Sequence, residues 1–97
     1  MTTVKTLNGS RLDVALEGRL DSETAPEFEK ELSESLYGVR ELVLDFKDLE
    51  YISSAGLRVL IWTVQTLGNR GTLRVENANS IICEIFEITG LSELLTR

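Results

Sequence analysis

The chain predicts an α/β fold: a small mixed β-sheet of about four to five strands, with helices packed mainly on one face. Three observations predict it. Apolar residues alternate with period two in "RLDVALE" and "TLRVEN". They recur with helical spacing in "APEFEKELSESL" and after Leu57. The two periods follow one another along the chain as β-β-α-β-α-β-α, and strands separated by helices imply parallel pairing with right-handed crossovers.

The elements follow in order. "TTVKTL" is a first strand and residues 11–17 a second, with Leu12, Val14 and Leu16 on one face. "NGS" links them, and Asn8-Gly9 is a strong hairpin signal. This hairpin makes the sheet mixed. Thr24-Ala-Pro-Glu27 reads as a capping box, in which the Thr24 hydroxyl accepts from the Glu27 amide. Ala25, Phe28, Leu32 and Leu36 form the buried stripe of that helix, and Gly38 ends it. Between residues 22 and 37 there are five glutamates and one lysine, a solvated face by the simplest reading and a site for a basic partner by the other.

Leu42-Val43-Leu44 is a continuous apolar run, the pattern of a central strand covered on both faces. "KDLE" reads as a polar turn leading to "YI". The next helix carries its stripe at Leu57, Leu60, Ile61, Val64 and Leu67, with Trp62 on its flank and packed against a neighbour. "GNRG" ends it. After "TLRVEN", a third helix runs from about Ser80 to Ile88, and a short helical turn follows Thr89-Gly90.

Composition excludes several functions. At 97 residues one domain is expected, spanning 1–97. A net charge of −6 argues against nucleic acid as the main partner. No apolar run approaches the length of a membrane helix and the N-terminus lacks a secretory apolar segment, so a cytoplasmic protein without membrane insertion is expected. The single cysteine, Cys83, reads as a small buried hydrophobe. There is no histidine, no phosphate loop and no cysteine cluster, so no catalytic residue, metal site or cofactor is expected. The expectation is a non-enzyme.

What remains is "YISSAGLRVL", two serines at a strand–helix junction. The first amides of a helix lack partners and its dipole is positive at that end. Position alone favours a cap. With Ser53 as the cap, Ser54 is the first helical residue, and Arg58 lies four residues on, within reach of a group on Ser54.

"LVLDFKDLEYISSAGLRVL" resembles the phosphorylation-site region of STAS domains, in particular the bacterial anti-sigma factor antagonists. "GRLDSETAPEF", "GNRGTLRVEN" and "IFEITGLSELL" are similar to three further family segments, in family order. The resemblance covers nearly the whole chain. It implies the STAS fold and a partner switch. The unphosphorylated form would bind an anti-sigma factor serine kinase, phosphorylation would separate the two, and a metal-dependent serine phosphatase would reset the protein. By motif the phosphorylated serine falls on Ser54, with Ser53 as the alternative. The implied partner-binding residues are Asp21, Thr24, Ser53, Ser54, Ala55, Gly56, Leu57 and Arg58.

Three departures stand out. Ser53 occupies a position where the family more often has aspartate, Ala55 one with a second hydroxyl, and Arg58 one with glycine. Loss of the aspartate removes a negative charge beside the acceptor, which makes a phosphate easier to hold. The resemblance also admits a second reading, a constitutive STAS binding module of a transporter or stress-signalling assembly. A monomer is expected.

Overall fold

The computed structural model describes residues 1–96. The element order is β1 (Thr2–Asn8), β2 (Arg11–Leu20), α1 (Ala25–Ser35), β3 (Glu41–Ile52), α2 (Ser54–Leu67), β4 (Thr72–Glu76) and α3 (Ser80–Ile88). Short 3-10 turns follow α2 at Gly68–Arg70 and α3 at Ser92–Leu94. The strands lie side by side in chain order. β1 is antiparallel to β2, and β2–β3 and β3–β4 are parallel, so the sheet is mixed as its pattern predicts.

The hairpin closes more tightly than "NGS" suggests. Asn8 pairs with Arg11, so Gly9 and Ser10 are the central turn residues. Gly9 takes a φ of +64°, which a residue without a Cβ adopts at least cost.

One core holds the fold together. It joins Leu12, Val14 and Leu16 of β2 to Leu42, Leu44 and Phe46 of β3, and adds Leu73 and Val75 of β4. Against these lie Ala25, Phe28 and Leu32 of α1, Leu57 and Leu60 of α2, and Ile82 and Phe86 of α3. All three helices therefore cover the same face of the sheet. Trp62 is half-buried against this core, as its flank position predicts. Cys83 is only half-buried, and its thiol donates to the Ala78 carbonyl at 3.5 Å.

The second face of β3 is covered differently from what the apolar run implies. Val43 is 1% exposed yet lies outside the main core. Its register neighbours are Asp13 and Arg74. Arg11 binds Asp13 at 3.0 Å, and Arg74 binds Glu41 at 2.9 Å and Glu76 at 3.3 Å. Ion-paired side chains roof Val43, their aliphatic stems against it and their charges in water.

Three local expectations are corrected. "KDLE" is not a turn. β3 runs unbroken through it to Ile52, because Glu17–Leu20 of β2 continues past the first pairing block and supplies hydrogen-bond partners. Two register shifts, between Ala15 and Glu17 and between Gly18 and Arg19, absorb the polar insertion, and Leu49 still reaches the core. Second, the buried stripe of α2 is Gly56, Leu57, Val59, Leu60, Thr63 and Leu67. Ile61 and Val64 are 41% and 40% exposed. The helix is rotated so that Gly56 faces the sheet. Third, Thr24 forms no capping box with Glu27. Its backbone is already helical (φ −94°, ψ −22°), which turns its hydroxyl back toward β2.

The acidic face of α1 is partly used internally. Glu31 accepts from the Thr3 hydroxyl at 2.6 Å and lies 3.6 Å from the Lys5 ammonium. This holds the edge strand against the helix.

Candidate functional site

The parallel β2–β3 pairing brings two separate sequence segments together. At the ends of the strands Leu20 pairs with Ile52, and the Ser53 amide donates to the Leu20 carbonyl at 2.9 Å. The turn after β2 and the start of α2 thus share one edge of the sheet.

Ser53 is the N-cap of α2, with extended backbone (φ −96°, ψ 177°). Its hydroxyl accepts from the Gly56 amide at 3.5 Å, the outer limit of a hydrogen bond. Its carbonyl accepts from Leu57 at 3.0 Å. Ser54 is the first residue of α2 and is exposed. The two serines therefore divide as the sequence predicts, one capping and one facing outward. Arg58, one helical turn on, is also exposed and makes no ion pair among the described residues. Ala55 is half-buried, whereas Gly56 and Leu57 face inward. Those last two shape the surface from beneath and offer it no side chain.

Asp21 and Thr24 form a knot beside this junction. Asp21 Oδ1 accepts from the amides of Glu23 at 3.0 Å and Thr24 at 3.2 Å. The Thr24 hydroxyl accepts from the Asp21 amide at 2.9 Å and donates to the Arg19 carbonyl at 2.9 Å. Asp21, rather than Thr24, ties off the entry to α1 with its side chain. The two backbone donors hold its carboxyl below the ordinary aspartate value, helped by the Thr24 hydroxyl and by Arg19.

Two residues at the site escape a reading of the sequence alone. Arg19 lies over the Tyr51 ring at 4.9 Å and 3.9 Å from Asp21. Arg19 lies in "GRLDSETAPEF" and Tyr51 in "LVLDFKDLEYISSAGLRVL", but neither residue type at its position marks a site. The signal was their adjacency to Asp21 and to the serines, and only the pairing of Arg19 with Tyr51 makes it one place.

Among the described residues no group of three metal-ligating side chains is present, and no helix is long and apolar enough to cross a membrane. The arrangement places an exposed hydroxyl at the positive end of α2, with Arg58 one helical turn on.

Comparison with known proteins places the chain in a family. The family model described as "Mlab, STAS domain" matches residues 4–96. An anti-sigma-B factor antagonist of Staphylococcus aureus is 32% identical over 85 residues, 86% of this chain and 79% of that protein. The unphosphorylated anti-sigma factor antagonist SpoIIAA superposes with a TM-score of 0.89 at 16% identity, covering 98% of this chain and 86% of that one. SpoIIAA of Bacillus has also been solved in a phosphorylated form, which superposes at 0.79 and 16% identity over 98% of this chain and 89% of its own. At that identity the two structures bear on the fold alone, and the family rests on the sequence matches: the chain belongs to the STAS domain family, among its anti-sigma factor antagonists.

Proposed function

We propose that this protein operates a phosphorylation-controlled partner switch. Unphosphorylated, it binds an anti-sigma factor serine kinase and so frees a sigma factor. The kinase transfers the γ-phosphoryl group of ATP to Ser54 Oγ. An oxygen–phosphorus bond forms at Ser54, the bond to the departing ADP breaks, and the hydroxyl proton passes to a base on the kinase. A metal-dependent serine phosphatase hydrolyses the phosphoserine and resets the protein.

The observation that carries this reading is the exposure of Ser54 at the first position of α2 while Ser53 takes the cap. A phosphate adds about −1.5 to −2 charges at pH 7. The helix end and Arg58 accommodate it without refolding. A partner packed against a neutral hydroxyl instead meets a charge it cannot pair. A hundredfold loss of affinity needs only about 2.7 kcal/mol, less than the usual cost of a buried unpaired charge.

The test is incubation with a cognate kinase and ATP, followed by peptide mass spectrometry. Phosphate should appear on Ser54, persist in Ser53→Ala and vanish in Ser54→Ala. Phosphorylation of Ser54→Ala at the wild-type level refutes the assignment. Calorimetry should show Ser54→Asp folded but unable to bind the kinase. Unchanged affinity, with a transporter ATPase rather than a kinase co-purifying, supports the constitutive module instead.

A further inference from the structure

The acids of this chain are unevenly spread. It carries 16 aspartates and glutamates among 97 residues, yet none between residues 51 and 75. That stretch holds α2 and the turn that closes it. Where α2 ends, about 20 Å from Ser54 at 1.5 Å per helical residue, a cavity of about 700 Å³ opens between it and the end of α1. Leu36, Val39 and Leu67, all buried, form its apolar wall. Arg40, Asn69 and Arg70, all exposed, form its polar wall, and no acidic side chain lines it.

Contacts between two distant segments put the arginines there. The Thr72 amide donates to the Arg40 carbonyl at 2.9 Å. Gly71 lies so close that a β-carbon on it would stand 3.0 Å from that carbonyl oxygen and 3.1 Å from Leu67 Cδ2. The turn carrying Asn69 and Arg70 is thereby pressed against Arg40. Arg11, Arg19 and Arg74 each lie beside a carboxylate, whereas Arg40 makes no side-chain hydrogen bond or ion pair among the described residues. Glu41, next to it in sequence, is held by Arg74 at 2.9 Å on the other face of the sheet. Arg70 donates to the Thr66 carbonyl at 3.2 Å and so closes the end of α2, a bond that occupies one of its five donors. The two helix ends that meet here amount together to about one negative charge, half of what two guanidiniums supply.

We propose that this cavity binds a small organic dianion, its charged groups held by Arg40 and Arg70 and its apolar body laid against Leu36 and Leu67. Two guanidiniums match two negative charges, and no carboxylate lining the cavity opposes them. The cavity falls within the about 300–1,000 Å³ of small-molecule sites. A bare inorganic ion would leave the apolar wall in water, so the ligand carries carbon as well as charge. Guanidinium forks fit carboxylate and phosphate oxygens alike. A dicarboxylate and a phosphate monoester therefore share the required chemistry. The site stands at the far end of α2 from Ser54 and does not depend on the partner-switch reading.

The experiment titrates the full chain with adipate and with phenyl phosphate, followed by amide NMR. One of the two should shift the amides of Gly38, Arg40, Asn69 and Gly71 saturably, and which one does so identifies the charged group. Benzyl alcohol and inorganic phosphate, the apolar body and the charge alone, should each bind more weakly. Arg40→Gln and Arg70→Gln should each weaken binding about two- to fivefold, the range of an exposed ion pair. Arg40→Lys should restore part of the loss. Lys47→Gln, exposed and well along β3 from the cavity, should change nothing. Absence of a saturable shift with both dianions overturns the proposal. So does an unaltered dissociation constant in either arginine-to-glutamine variant, an equal loss in Lys47→Gln, or inorganic phosphate binding as tightly as the organic probe. The spectra of the unliganded variants confirm the fold.

Discussion

Gly56 and Leu20 meet closer than any side chain would allow. A β-carbon at 56 would lie 2.8 Å from Leu20 Cγ, 3.0 Å from the Leu20 carbonyl oxygen and 2.7 Å from Ile52 Cγ1. The start of α2 is thereby seated on the end of β2, the same carbonyl that binds the Ser53 amide. This contact aims Ser54 outward and sets the rotation of the whole helix.

Replacing Gly56 by alanine tests that seat. In an ordinary helix interior the change stabilises by about 0.5–1 kcal/mol. Here overpacking reverses the sign, and a loss of about 1–3 kcal/mol is expected. Urea denaturation should show a lower midpoint at unchanged slope. A raised midpoint would mean that Leu20 and Ile52 yield freely.

Asp21 makes stability depend on acid. Its carboxyl in the folded chain titrates below the ordinary aspartate value of 3.8 because backbone amides favour the carboxylate. The stabilisation is therefore complete above that unfolded value and disappears as pH falls through the folded one. Urea midpoints of wild type and Asp21→Asn should differ most near pH 7 and converge below about pH 4. A difference that stays constant to pH 3 contradicts this account.

The serines should separate in stability as well as in modification. Ser53→Ala removes a long cap bond and should cost about 0.5 kcal/mol, the lower end for such losses. Ser54→Ala, at an exposed position, should stay within about 0.5 kcal/mol of wild type. Thermal melts of the two variants check the order, and a larger loss in Ser54→Ala would reassign the cap.

The roof over Val43 predicts a contrast at Arg74. Arg74→Met keeps an apolar stem over Val43 and should lose less than about 1 kcal/mol, since exposed ion pairs contribute little. Arg74→Ala uncovers Val43 and should lose more. Equal losses in the two, measured by urea denaturation, would show that charge rather than the stem protects this face.

The order of elements was legible in the sequence because each carries its own period. Leu12, Val14 and Leu16 share a face, as do Phe28 and Leu32, by local geometry alone. The division of labour between Ser53 and Ser54 was legible too, because a cap and its next residue differ by backbone position, which neighbours in sequence set.

Other features were decided by contacts between segments far apart in the chain. "KDLE" contains the residues of a turn, but a partner strand with two bulges draws it into the sheet. The "TAPE" segment is a capping box by pattern, but a carboxylate three residues earlier competes for the threonine. The stripe of α2 includes Ile61 and Val64 by periodicity. The close seat of Gly56 on Leu20 turns them outward. By itself the sequence determined the fold class and the family. Tertiary structure decided what lies at the strand ends beside Asp21, because Arg19 and Tyr51 meet only when β2 and β3 pair in parallel register.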